Sequence, residues 1–212
     1  MNPVTGQEFD FDPEFTWNYE LARRSQWLDD RLTVNAIAFY LDWSDQQISV
    51  GLDPNVPLSS VTLNSGESRT WGGELEIWAE PVDGLSLFGP VAYASNKFKD
   101  LISGGQQLAG NGFPYAPEWS TAFGADYFFD NGVFIGADAS YQSASFDDIQ
   151  NTIPIDSRFL VNARAGYETE NWGVFACVTN LFDADYITCV TGPDLVSVGD
   201  PRQFGVVGQV RF

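Results

Sequence analysis

The sequence predicts an all-β chain: an antiparallel up-and-down transmembrane β-barrel, present as a partial barrel of about nine strands. Three observations predict it. Apolar and polar residues alternate over many consecutive segments, which gives each segment two different faces. The connections between these segments alternate between short and long. No run of about 18 apolar residues occurs, which excludes a membrane-spanning helix but leaves strands able to cross.

The first two segments run near Phe15 to Leu28 and Arg31 to Trp43. The second changes its apolar parity near Ile37, which predicts a bulge or leaves its faces unassigned. The third sets Trp71, Gly73, Leu75, Ile77 and Ala79 against Glu74, Glu76 and Glu80, and three carboxylates on one face make that face wet. The fourth sets Leu85, Leu87, Gly89, Val91 and Tyr93 against Ser86, Ala92, Ala94 and Asn96. Pro90 falls inside it and removes a ladder hydrogen bond, so a bulge or an edge is expected there. Trp119, Thr121, Phe123, Ala125, Tyr127 and Phe129 then oppose Ser120, Gly124 and Asp126. Val133, Ile135, Ala137, Ala139 and Tyr141 oppose Asp138, Ser140 and Gln142. Phe159, Val161, Ala163, Ala165 and Tyr167 oppose Asn162, Arg164 and Glu168, and segments at Trp172 to Ile187 and Gln203 to Phe212 complete the set.

Asp29-Asp30, Pro81 to Gly84, Asp130 to Gly132 and Thr169 to Asn171 carry turn chemistry in the short connections. The long ones run roughly Ser44 to Ser68, Phe98 to Glu118, Asp147 to Ser157 and Thr188 to Arg202. Short turns at one end and long loops at the other are the build of outer-membrane barrels. Tyr93, Trp119, Tyr127, Phe129, Tyr141, Tyr167 and Trp172 lie on apolar faces near strand ends, where interfacial girdles are expected. A β-sandwich core offers the same periodicity, so periodicity alone does not separate the two.

Aromatics form 15% of the 212 residues, which excludes disorder. A net charge of −19 excludes a nucleic-acid partner, whose phosphates need a basic footprint. The chain has no histidine, so Ser-His-Asp and Cys-His catalysis are impossible and an enzyme is not expected. No Gly-rich phosphate loop occurs, no cofactor or metal is expected, and the spacing of Glu74 and Glu76 fits a wet lumen better than a glycosidase. Cys177 and Cys189 on one continuous strand would stand roughly 40 Å apart, so two unpaired thiols are expected unless the chain folds back after Tyr186. Met1 to Asp10 lacks the basic and apolar runs of a signal peptide, so an outer-membrane reading expects a longer parent chain.

Short motifs recur in order along nearly the whole sequence. They are Asn64 to Ser68 with Gly73-Glu74-Leu75-Glu76, Phe113 to Trp119, Asn180-Leu181-Phe182-Asp183-Ala184-Asp185-Tyr186, and Pro201-Arg202-Gln203-Phe204-Gly205. Together they resemble the C-terminal barrel part of the TonB-dependent outer-membrane receptor family, with residues 1–212 as that portion. The resemblance implies a Gram-negative outer-membrane location. It also implies a barrel of about 22 strands filled by a separate N-terminal plug. Such a receptor takes up a scarce nutrient such as a ferric siderophore, cobalamin or a glycan, driven by TonB pulling on a box near the receptor's N-terminus. The plug, the box and the missing N-terminal barrel strands are expected outside these residues.

The expected partners are therefore outer-membrane lipid, the barrel assembly machinery, and TonB through the plug. A terminal phenylalanine closing the alternation Phe204, Val206, Val210, Phe212 resembles the signal read by the assembly machinery. Asp126, Asp138 and Arg164 are expected on one face of three successive strands as a lumen polar cluster. A structural ion pair is the favoured reading there, and contact with the plug or the substrate path the other. The long loops are rim material, and no substrate residue is assigned in them. Two other functions compete: a secreted β-sandwich carbohydrate-binding module with Trp71 or Trp119 as a stacking platform, and a passive porin-like barrel.

Overall fold

The computed structural model describes residues 12–51, 60–192 and 195–211. In chain order its strands are β1 (Phe15–Trp27), β2 (Leu32–Gly51), β3 (Ser60–Val82), β4 (Leu85–Phe88), β5 (Val91–Ser103), β6 (Gln106–Gln107), β7 (Trp119–Phe128) and β8 (Val133–Gln142). They continue as β9 (Ser145–Phe146), β10 (Pro154–Ile155), β11 (Arg158–Glu168), β12 (Trp172–Thr179), β13 (Ile187–Gly192), β14 (Leu195–Val198) and β15 (Gln203–Val210). No helix occurs among the described residues.

One antiparallel wall of nine positions follows the order β1, β2, β3, β4 with β5, β7, β8, β11, β12, β15. Its two ends, β1 and β15, each pair on one side only among the described residues, so the sheet is open. The break between β4 and β5 falls at Gly89-Pro90, where the sequence expects it. There the ladder is replaced by Gly89 N–H donating to Ile77 O at 2.9 Å and Pro90 O accepting from Ala122 N–H at 3.0 Å.

The tight turns keep the register that alternation demands. Leu28, Asp29 and Asp30 all take positive φ, an uncommon conformation that short Asp side chains tolerate. Gly84 (φ 81°) and Gly132 (φ 87°) serve the next two turns, where a glycine meets no steric cost.

Outward faces carry the predicted aromatics in two belts. At the long-loop end Trp71, Tyr93 and Trp119 pack in a row with ring centroids 5.4 and 4.8 Å apart. At the tight-turn end Tyr127 packs on Phe129 at 4.5 Å and Tyr167 on Trp172 at 5.8 Å. The ten residue steps from Trp119 to Phe129 cover about 34 Å along the strand, or about 25 Å of height at a tilt of about 40°. That matches the apolar band of a membrane barrel. Between the belts Phe123, Ile135, Val174 and Val206 are exposed on the outward face.

Four expectations are corrected. No bulge occurs at Ile37; β2 stays in register with β1 and β3 through it, and the irregularity lies between Trp43 and Gln46, with Asp45 at positive φ. The apolar parity changes because Ile37 and Phe39 face the lumen opposite Glu74 and Gly72, with the Phe39 ring lying across Gly72. Second, the long connections hold strand as well as loop. β2 and β3 run on to Gly51 and Ser60, β5 continues to Ser103, and the hairpins β9–β10 and β13–β14 stand in the last two loops. These extensions enclose a small core of Phe98, Leu101 and Leu108, packed by Ile48, Phe113 and Ile149. Third, the Trp172 segment ends at Thr179, not Ile187. Fourth, Cys177 and Cys189 therefore lie on different strands, β12 and β13, rather than on one; both are free thiols, as expected.

Candidate functional site

The inward faces of β3 to β15 form one concave polar surface. Strict alternation puts Asp126 and Asp138, with Arg164, on it. The three predicted cluster residues meet: Asp126 stands opposite Gly136 and Gly136 opposite Arg164, which puts those two in one row, while Asp138, two residues on from Gly136, is diagonal to both. The Arg164 side chain crosses β8 at that glycine. Its Nη2 donates to Asp126 Oδ2 at 2.6 Å and its Nε to Oδ1 at 3.2 Å, while Asp138 Oδ1 lies 3.9 Å from Nη1. A Cβ at position 136 would overlap Asp126 Oδ1, so only glycine admits the crossing. The guanidinium also lies 5.8 Å from the Phe134 ring centroid. A planar fork on a carboxylate, with a ring beside it, is a rigid arrangement.

From Asp138 the network runs towards the long-loop end. Asn162 Nδ2 donates to Asp138 Oδ2 at 2.7 Å, and Asn162 Oδ1 accepts from Asn180 N–H at 3.1 Å. Asn180 is buried at positive φ, and it fills both ends of its amide. Its Nδ2 donates to Ala184 O at 2.9 Å and Asp200 O at 3.1 Å, and its Oδ1 accepts from Ala184 N–H at 2.8 Å. Asp183 Oδ1 accepts from Arg202 N–H at 2.8 Å, and Arg202 Nη1 donates to Leu181 O at 3.3 Å. The two sequence motifs around Asn180 and Pro201-Arg202 are thus one clamp, closing the loop that carries β13 and β14. Asn180 and Asn162 escape sequence reasoning as site residues, because an asparagine in a turn motif signals only a turn and one on the polar face of a strand only a wet face.

Three long loops are tied together above the concave face. Asp147 accepts from the Tyr115 hydroxyl and, at 2.8 Å, from Val190 N–H, and the Tyr115 hydroxyl also lies 3.4 Å from Cys189 Sγ. The bonds to Asp147 and then Cys189 push the Tyr115 phenol well above its ordinary pKa. Asn151 exchanges hydrogen bonds with Gly112 at 2.7 and 3.0 Å. Asp148 folds its own loop by accepting from Thr152 and Ile153 N–H at 2.9 Å each. Burial works to raise its carboxyl, but the bonds from Ile153 and Thr152 outweigh burial and hold it below the ordinary value.

Phe204, Val206 and Val210 all point outward from β15 and are largely exposed. Phe212 lies outside the described residues. No group of His, Cys, Asp and Glu side chains able to hold a metal occurs among the described residues.

An exposed apolar band between two aromatic belts, a polar concave face and long tied loops at one end define a wall segment of an outer-membrane β-barrel. The chain belongs to the TonB dependent receptor-like β-barrel family, whose model matches residues 2–181. It is part of a barrel of the Gram-negative outer membrane. It is 29% identical to the ferric-pyoverdine M114 receptor PbuA of Pseudomonas sp. over 96% of this chain and 24% of that protein. It is 26% identical to the ferrichrome outer membrane transporter/phage receptor of Escherichia coli K12, over 73% of this chain and 21% of that protein. Its fold is that of the ferric yersiniabactin uptake receptor FyuA from Yersinia pestis, with TM-score 0.78 and 21% identity, covering 94% of this chain and 30% of the other. The siderophore receptor PiuA from Acinetobacter baumannii follows at TM-score 0.76 and 23% identity, over 93% and 28%. The chain spans about a quarter of the length of the curated relatives it matches.

Proposed function

We propose that residues 1–212 are the C-terminal portion of the barrel of a TonB-dependent receptor that takes up a ferric siderophore. The observation that carries this reading is a polar concave wall roofed at one end by loops hydrogen-bonded to each other through Asp147 and Asn151. A roof of that kind can hold a solute before it passes inward. A simple diffusion pore needs no such roof. The relatives quoted above are named for ferric chelates, which favours a siderophore over cobalamin or a glycan. In this reading a separate plug fills the lumen, TonB acts on the plug, lipid covers the outward face, and the barrel assembly machinery inserts the chain. The Asp126–Arg164–Asp138 network then works as a structural brace of the wall.

The test is uptake of radiolabelled ferric siderophores by an iron-starved strain carrying the complete receptor as its sole copy. Uptake should depend on TonB and on the receptor. TonB-independent uptake would indicate a passive pore, and uptake equal to that of the deletion strain would refute the reading.

A further inference from the structure

The outward face of β1 carries Trp17, Tyr19, Leu21 and Trp27, and Arg23 lies among them. The register fixes that placement: Arg23 stands opposite Ala36, Ala36 opposite Leu75, and Leu75 opposite Val91, all on the outward side. Arg24 is on the lumen side opposite Asn35, so the strand cannot turn Arg23 inward without turning the aromatic residues inward too. Tyr19 continues the upper aromatic row through Tyr40, which stands opposite Trp71, and Trp27 marks the tight-turn end. Arg23 is four residues from each, about 13 Å along the strand or about 10 Å of height at a tilt of about 40°.

Among the described residues Arg23 is the one ionisable side chain on the outward face between the belts. It is exposed, and among the same residues its side chain makes no ion pair and no hydrogen bond. The hydroxyls of that face are satisfied within the wall: Ser25 donates to Val34 O at 2.9 Å and Thr121 to Pro90 O at 2.8 Å. A guanidinium in apolar surroundings is unfavourable unless an acid meets it. An extended arginine reaches about 7 Å, short of either belt, so snorkelling brings its charge only part of the way to water. The neighbouring positions on β1 and β2 are all non-acidic: Leu21 and Ser25 along the strand, Ala36 opposite, Val34 and Ala38 on the diagonals. The position left is across the other edge of β1, which pairs on one side only among the described residues.

We propose that the strand preceding β1 in the complete barrel carries an outward-facing aspartate or glutamate opposite Arg23 or on its diagonal, and that this intramembrane ion pair sets the register between the two strands. The chain spans about a quarter of the length of the relatives it matches, so the complete barrel has further chain to supply that strand. Alternation penalises a slip by one residue, which exchanges the two faces, but a slip by two keeps every face. Trp17, Tyr19 and Leu21 stay on an apolar face after such a slip. The charge pair does not survive it, because the partner moves about 7 Å along the strand. A single polar pair in an apolar setting is thus a registry device. This rests on the lipid-covered outward face of the reading above and is independent of the solute.

The experiment is urea unfolding of the complete receptor in vesicles of phosphatidylcholine, which carries no net charge. Arg23→Leu should lower the folding equilibrium constant at least about tenfold, because it leaves a carboxylate alone in the membrane, and Arg23→Lys should lower it less than about threefold. Each Asp or Glu on the outward face of the preceding strand is then changed to Asn or Gln, with and without Arg23→Leu. One of them should be strongly non-additive with Arg23→Leu, and placing Arg at that position should rescue Arg23→Glu. An Arg23→Leu receptor as stable as wild type or more so, or a preceding strand in which no carboxylate couples, would show that the cation meets lipid alone and would overturn the pair. A loss that appears only when phosphatidylglycerol is added would also overturn it, since a lipid phosphate would then be the partner. Ala137→Arg, on the same apolar band of β8, separates the two readings. If it destabilises the receptor while Arg23→Leu does not, the pair falls and the lipid-covered face stands; if it is neutral, both fall.

Discussion

Replacing Arg164 by glutamine should destabilise the barrel more than replacing Asp126 by asparagine, although the two residues share one ion pair. The pair is bidentate, and the side chains of Arg164 and Asp126 retain 39% and 20% exposure. Fully exposed pairs contribute about 0.2–1 kcal/mol and breaking buried ones costs about 3–5 kcal/mol, so a pair of this exposure should couple by about 1–2 kcal/mol. Asp126→Asn leaves the guanidinium with Asp138, 3.9 Å away, and should cost about 1 kcal/mol. Arg164→Gln strips the cation from two neighbouring carboxylates and should cost about 2–3 kcal/mol. Gly136→Ala, which changes no charge, should cost a similar amount, because its Cβ takes the place of Asp126 Oδ1 and comes within 2.9 Å of Arg164 Nε. The assay is a double-mutant cycle from urea unfolding of the complete receptor in micelles, at fixed m-value. A coupling below about 0.3 kcal/mol, or a larger loss for Asp126→Asn than for Arg164→Gln, would refute the brace.

Asn180→Ala should cost about 2–3 kcal/mol and Asn180→Gly less, since glycine keeps the positive φ and loses only the amide bonds; limited proteolysis of the β13–β14 loop would rank them, and equal rates would remove the clamp. On β15, Val206→Arg on the lipid face should cost about 2–4 kcal/mol, whereas Val207→Arg on the lumen face should cost far less, and equal losses would contradict the face assignment. Deleting Phe212 should lower surface levels of the heat-modifiable receptor; unchanged assembly would show that the terminal aromatic is not read. Asp148 has a lowered folded pKa, so its contribution is fully present above the ordinary carboxylate value of 3.8 and fades as pH falls through the lower folded value. The protection of the Thr152 and Ile153 amides, measured against their intrinsic exchange rates, should therefore fall in that acid window in wild type, and Asp148→Asn should make the protection independent of pH there.

Outside the second strand, alternation by itself determined the wall: which residues face outward, which face the lumen, that about nine strands follow one another, and where the tight turns fall. A side-chain period of two is a local property, so each strand declares its faces without knowing its partner. For the same reason Asp126, Asp138 and Arg164 could be put on one face from sequence. Tertiary structure alone decided how they meet, because the crossing at Gly136 depends on the register of three strands, and a glycine in a strand states no such purpose. The same holds for Phe39, whose inward turn makes sense only once Gly72 stands opposite, and for Asn180, whose bonds reach Asp200 across a hairpin. The long loops were the least legible segments. Their order comes from contacts distant in sequence, such as Asp147 with Tyr115 and Val190, and periodicity carries no information about contacts of that kind.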